Sequence, residues 1–139
     1  MADLLSIRVS TRADLSEIDA LFQRSYPALL KDSYPPSLIV TAIPLIARAN
    51  PALIASGRYF AVTDSTGSIV GAGGWSGADP RRDRPSAPNT GHIRHIVTDH
   101  RRVRKGIGRV LMGHIFDHAR AAGVMRLDCL STRMAVPFY

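Results

Sequence analysis

Between Asp99 and Arg109 the chain reads Asp-His-Arg-Arg-Val-Arg-Lys-Gly-Ile-Gly-Arg, a basic run that ends in two glycines one residue apart. Gly106 and Gly108 allow a tight turn and a close approach to the main chain. The residues Ile107, Val110, Leu111, Ile115 and Ala119 then recur at helical spacing. The first amides of a helix have no partner inside it, so this turn offers free N–H groups, the positive end of a helix dipole and flanking cations to one ligand. Such a turn suits a phosphate. It has no Gly-Lys-Ser/Thr ending of a nucleotide-triphosphate loop, and its glycine spacing does not match the dinucleotide fingerprint. The plain alternative is a solvated basic turn that caps a structural helix.

Glu17 is the only glutamate, which removes the residue an enzyme would often use as a carboxylate base. An imidazole is mostly neutral at pH 7 and can accept a proton. His92 to Thr98 reads as a strand, and alternation puts His92, Arg94, Ile96 and Thr98 on one face and Ile93, His95 and Val97 on the other. The alternative for His92 is an exposed strand histidine without a role. Arg94, on the face expected for His92, could meet a carboxylate on a substrate. His114 and His118 are four apart on the predicted helix, a spacing that can hold a metal. With no third ligand in view, a solvated helix face is the simpler reading and no metal is expected. Cys129 reads as a small buried hydrophobe, and Trp75 fits a groove border or the core equally well.

The elements that must position these residues follow from the same patterning. Ile7 and Val9 alternate with polar neighbours as a first strand. Leu15, Ile18, Leu21 and Phe22 form a helical stripe that Pro27 perturbs or ends. A second helical region follows Pro35 and Pro36, is interrupted by Pro44 and is closed by Asn50 and Pro51. Tyr59 to Val62 and Ile69 to Trp75 read as strands joined by a turn from Asp64 to Gly67, and 77–89 as a loop. Val124 to Leu130 reads as a last strand, followed by a short helix from Arg133 to Tyr139. The result is a mixed α/β fold, with a parallel crossover implied by the strand, helix and strand near the end.

Composition narrows the classes. The chain has 139 residues, one cysteine and a formal charge of +7, which suits one domain without a disulfide framework. Apolar stretches are broken well before the roughly 18 residues of a membrane span, so no membrane segment is expected. No secretory pattern is visible at the N-terminus, and a cytoplasmic protein is expected. Five basic residues against one acidic between Asp99 and Arg109 place a net +4 of the +7 at the glycine turn.

The segment HRRVRKGIGRVLM, following a strand, resembles the acyl-CoA binding turn of the GNAT superfamily of N-acetyltransferases, whose pattern is Gln or Arg, two residues, Gly, one residue, Gly or Ala. MRLDCLSTRMAVPFY is similar to the family's next strand and the start of its final helix, and IVGAGGWS and the early helical excursion also fit, so the likeness spans nearly the whole chain. Val103 stands at the Gln or Arg position, with Arg104 and Lys105 beside it, and Thr132 stands where many members have Asn. The resemblance implies a mixed central sheet flanked by helices. It also implies a single N-acetyltransferase domain truncated at the C-terminus, since members continue past the position of Tyr139 through further strands. Acetyl-CoA is the implied co-substrate. The implied binding residues are the backbone of Ile96, Val97 and Thr98, the turn residues Arg104, Lys105, Gly106, Ile107, Gly108 and Arg109, and Thr132. His92 is implied as the base and Tyr139 as the acid that protonates the departing thiolate. The implied acceptor is a small-molecule or peptide amine.

Two other classes compete. A basic nucleic-acid-binding domain would use Arg101, Arg102, Arg104, Lys105 and Arg109, but the cations cluster at a turn rather than along a stripe, and only 6% of residues are aromatic, leaving few stacking platforms. The other is a catalytically silent acyl-CoA sensor on the same fold. Unpaired strand edges at the C-terminal end would invite a homodimer.

Overall fold

The computed structural model describes residues 4–30, 36–37, 48–77, 88–102 and 106–129. The expected second helix along 38–46, most of the loop along 78–87 and the final helix from Arg133 to Tyr139 lie outside these residues. Strand β1 (Ser6–Val9) leads through a 3-10 turn (Arg12–Asp14) into helix α1 (Leu15–Leu30). A short helix α2 (Pro51–Ile54) precedes strands β2 (Tyr59–Thr63), β3 (Ile69–Ser76) and β4 (Thr90–Thr98). Helix α3 (Ile107–Ala121) then crosses to strand β5 (Arg126–Cys129). The strands lie in the order β1-β2-β3-β4-β5. The first three pairings are antiparallel and β4 with β5 is parallel, as the expected crossover requires.

Local chemistry explains these boundaries. Asp14 accepts the Thr11 N–H at 2.8 Å and both Nη groups of Arg8 at 2.8 Å, tying β1 to the start of α1. The Arg8 guanidinium holds the Asp14 carboxyl below its ordinary range. Pro27 does not end α1, which continues to Leu30. Its ring forgoes one bond, to the carbonyl of Gln23, and the next turn still forms. Asn50 and Pro51 open a helix rather than close one: the Asn50 side chain accepts the Leu53 N–H at 3.1 Å, and proline suits the first helical position. In the β2–β3 hairpin, Asp64 accepts the N–H groups of Thr66 and Ser68, and Gly67 adopts the positive φ of 85° that the turn demands.

The sheet separates two apolar layers. On one face, Ile18, Leu21 and Phe22 of α1 and Leu53 and Ile54 of α2 pack on Tyr59, Ala61, Ile69, Ala72 and Val97. On the other, Ile107, Leu111, Met112, Ile115 and Ala119 of α3 pack on Phe60, Val62, Val70, Trp75 and Ile93. Helix α3 lies close to the sheet because β3 carries glycine there. A Cβ on Gly71 would meet Ile107, and one on Gly73 would meet Ile96 and Leu111.

Candidate functional site

The end of β4 is pinned before the glycine turn begins. Asp99, buried, donates its N–H to Val70 O at 2.8 Å, so β4 stays paired with β3 to its last residue. The Asp99 carboxylate accepts from Arg101 Nε at 3.0 Å, Arg101 Nη2 at 2.8 Å and the Arg101 N–H at 3.0 Å, with Arg24 Nη2 of α1 at 3.5 Å. These bonds, foremost those from the Arg101 side chain, hold its pKa well below the carboxylate range. His100 donates its N–H to Ser25 Oγ of α1 at 3.3 Å. Arg102 reaches Asp64 Oδ2 in the β2–β3 hairpin at 3.0 Å.

These contacts correct the charge expected at the turn. Arg101 and Arg102 are each bound to a buried carboxylate and shape the chain instead of adding unopposed charge. Arg104 and Lys105 lie outside the described residues. Arg109 is exposed on the first turn of α3.

Gly106 opens α3 with a φ of 82° and itself offers no side-chain cap. Its carbonyl takes the Val110 N–H at 3.0 Å, starting the helical ladder. The N–H groups of Ile107, Gly108 and Arg109 therefore fall in the first turn, where helical amides lack internal partners. Ile107 anchors that turn in the core, and Gly108 is half-buried.

Strand β4 departs from regular alternation. Its pairing with β3 shifts between Ala72 and Gly74, where Ala72 faces Val97 but Gly74 faces Arg94, so β4 holds one extra residue. This is a β-bulge, and His95 within it adopts a φ of 51°. The expected faces are corrected accordingly. Ile96 packs toward α3, apart from His92 and Arg94. His95 turns to the α1 side, where its ring meets Phe22 edge-on at 5.8 Å. His92 faces Ser76 and Arg94 faces Gly74, so by alternation from Ile93 both lie on this same α1 side with His95.

His92 is buried, and among the described residues its Nε2 has no hydrogen-bond partner. It is thus not the exposed strand histidine of the simpler reading. Arg94 donates to Ser76 Oγ at 3.2 Å. Burial, with a smaller contribution from Arg94, lowers the His95 pKa. The described pairing of β4 with β5 ends at Ile93 with Cys129. Because Asp99 and, two residues earlier, Val97 direct their backbone groups to β3, the intervening Thr98 directs its own to the opposite edge.

Two residues of this site escaped the sequence. Tyr59 Oη donates to His95 O at 2.7 Å, and Tyr26 Oη donates to Ile96 O at 2.9 Å. The one signal for Tyr59 was an aromatic on β2 facing a glycine-rich β3, which leaves room for its ring; Tyr26 on α1 had none. His114 and His118 are corrected too: they do not form a solvated face. Both rings pack edge-on against Phe60, and His118 Nδ1 accepts the Trp75 Nε1–H at 3.0 Å. Trp75 is buried in the core. Among the described residues no group of three His, Cys, Asp or Glu is placed to hold a metal, and no helix is long and apolar enough to cross a membrane. Thr132 and Tyr139 lie outside the described residues.

An antiparallel sheet that ends in a parallel β4–α3–β5 unit, with a glycine opening the helix, defines a mixed α/β protein. Residues 15–139 match the Acetyltransferase (GNAT) family, and the chain belongs to that family, whose chemistry is CoA-dependent acyl transfer. Among solved structures it is similar to the PaiA N-acetyltransferase from Thermoplasma acidophilum in complex with coenzyme A, with a TM-score of 0.73 at 12% identity over 97% of this chain and 84% of that one. It is also similar to a GCN5-related N-acetyltransferase from Ralstonia eutropha JMP134 (TM-score 0.64, 18% identity, 98% and 89% covered). A third is the ribosomal-protein-S18-alanine N-acetyltransferase from Escherichia coli (TM-score 0.60, 20% identity, 98% and 74% covered). At these identities the likeness is one of fold. A search of curated proteins found none that matches.

Proposed function

We propose that the protein transfers the acetyl group of acetyl-CoA to a primary amine by direct attack, the acceptor being a small molecule or the amine of a peptide. The observation that carries this reading is the β4–α3 unit, in which a bulged strand leads to a helix whose first amides open at Gly106. The amides of Ile107, Gly108 and Arg109 would hold the pyrophosphate, with Arg104, Lys105 and Arg109 supplying charge. The backbone of Ile96, Val97 and Thr98 would line the pantetheine arm, with Thr132 further along it. By the alternation of backbone groups along β4, Thr98 presents its N–H and C=O to the edge away from β3, while Val97 contributes through its neighbours.

An alkylammonium has a pKa of about 10.4, so freeing the amine at pH 7 costs roughly 4 to 5 kcal/mol and a proton acceptor is useful. His92 is the proposed base, directly or through water, since its Nε2 is uncommitted among the described residues on the α1 side. The bulge favours a second assignment, because it brings His95 to the same side and burial keeps its ring neutral at pH 7. As the amine nitrogen bonds to the acetyl carbon, its proton passes to the base. The C–S bond then breaks and the sulfur leaves with the electron pair. Tyr139 would donate the proton that sulfur takes.

Thiol release from acetyl-CoA, followed over amino acids, polyamines, an aminoglycoside and alanine-ended peptides, tests the reaction. Thermal shift with acetyl-CoA and with DNA or RNA separates it from nucleic-acid binding, since a specific ligand raises the unfolding midpoint. A shift with nucleic acid alone overturns the proposal, and a shift with acetyl-CoA without thiol release on any amine favours the silent sensor. His92→Ala should lower turnover most below the pH optimum. If His95→Ala does so instead, the base is His95.

A further inference from the structure

The two tyrosine hydroxyls end on consecutive carbonyls of the β4 bulge, those of His95 and Ile96. Tyr59 stands on β2, two strands from β4. It faces Gly74 across the β2–β3 pair, and Gly74 faces Arg94 across the β3–β4 pair. With no side chain at Gly74 and only a methyl at Ala72, the Tyr59 ring crosses β3 and reaches the bulge. Burial pushes its pKa well above the ordinary value, so the hydroxyl stays protonated and remains a donor.

The consequence lies in the peptide plane. In a trans peptide the N–H of one residue points opposite to the C=O of the residue before it. The His95 carbonyl points at Tyr59, so the Ile96 N–H points away from that hydroxyl, and because Val97 turns its backbone groups to β3, Ile96 turns its own away from β3. We infer that Tyr59, with Tyr26, positions the Ile96 amide as the donor to the thioester carbonyl oxygen, by fixing the two carbonyls that flank that amide. This rests on the acetyl-transfer reading. While the amine bonds to the acetyl carbon, the carbonyl electron pair moves onto oxygen, and it returns as the C–S bond breaks. A donor already aimed at that oxygen is worth most when it need not reorganise. His95 holds a left-handed backbone that histidine adopts at a cost, so the peptide has reason to turn once the hydroxyl bonds are gone.

Tyr59→Phe and Tyr26→Phe test this, each compared with wild type using the amine that gives the fastest thiol release in the panel. The expected result is a fall in kcat of ~10-fold or more, with KM for acetyl-CoA within a few fold. Coenzyme A itself lacks the acyl carbonyl, so the thermal shift it produces should be retained. If Tyr59→Phe does not fold, the half-buried Tyr26→Phe carries the same expectation. Wild-type kcat in the folded variants overturns the inference, and so does a kcat loss that tracks loss of the coenzyme A shift, since that is a structural role. A wild-type protein that neither binds coenzyme A nor releases thiol overturns the acetyl-transfer reading itself, and the inference with it.

Discussion

Gly74 shows how closely two strands can be set when one residue has no side chain. A Cβ there would run into Arg58 O and would lie 2.7 Å from Tyr59 Cα and 2.9 Å from Arg58 C. All three are main-chain atoms, so no rotamer change relieves the contact, and Gly74→Ala must push β2 away from β3. The Trp75 N–H to Arg58 O bond, now 3.0 Å, would lengthen or break. Losing such a bond costs about 1 kcal/mol, and overpacking adds about 1 to 3 kcal/mol. Replacing glycine by alanine returns about 0.4 to 1 kcal/mol by restricting the unfolded chain. Strain wins, with a net loss of about 2 kcal/mol. At about 3 to 4 °C per kcal/mol for a chain of this size, the unfolding midpoint should fall by about 6 to 8 °C. Calorimetry and urea titration would read it, with the denaturant slope unchanged. A midpoint within about 1 °C of wild type would refute the packing argument, because nothing else at Gly74 offsets a main-chain collision of this kind.

Four further predictions rest on single contacts. Gly113 is exposed within α3, and a side-chain carbon added there would have nothing within 4 Å, so Gly113→Ala should stabilise by about 0.5 to 1 kcal/mol, and a lower midpoint would contradict that. The Asp99 pKa is depressed in the folded state, so its stabilisation is present above about pH 4 and is lost as pH falls; Asp99→Asn should flatten the fall in unfolding midpoint from pH 4 to pH 2, and an unchanged slope would show the carboxylate is not held. His118→Ala leaves the buried Trp75 N–H without its acceptor, at about 1 to 3 kcal/mol, and should move the emission of the single tryptophan; unchanged emission would argue against the bond. Gly106→Ala meets open space but forces a left-handed backbone at about 1 to 2 kcal/mol, so it should weaken the thermal shift by acetyl-CoA more than Arg109→Ala does, whereas the reverse order would place the binding energy in side-chain charge.

Much of the fold was legible because it follows from period and punctuation. The α3 stripe from Ile107 to Ala119, the Asp64 to Gly67 turn and the parallel crossover each need only local pattern and one handedness rule. The site was less legible. A bulge adds one residue without changing composition, so period-two reading through His95 assigned every residue beyond it to the wrong face relative to His92. Asn50 and Pro51 carry the same residue types whether they end one helix or begin the next, and only the Leu53 N–H bond decides. The Tyr59 contact with His95 and the Arg102 contact with Asp64 join residues 36 and 38 apart, which no local window can pair.

The arginines make the last step. Read as a string, the turn carries a net +4, enough to suggest that charge alone draws an anion. In the structure Arg101 and Arg102 are bound to Asp99 and Asp64; Arg24 on Asp99 joins the end of β4 to α1, and Arg102 on Asp64 joins it to the β2–β3 hairpin. Charge that has been used to fix geometry attracts a ligand far less, but it fixes where the chain leaves β4. Ile107, buried against Gly71, fixes where α3 begins. With Ile107 buried, the described first turn of α3 is anchored on the sheet, so under the proposed reading a phosphate bound at its amides would order little of that helix. Specificity at such a site comes from main-chain direction more than from the number of cations, which is why its most informative substitutions are glycines.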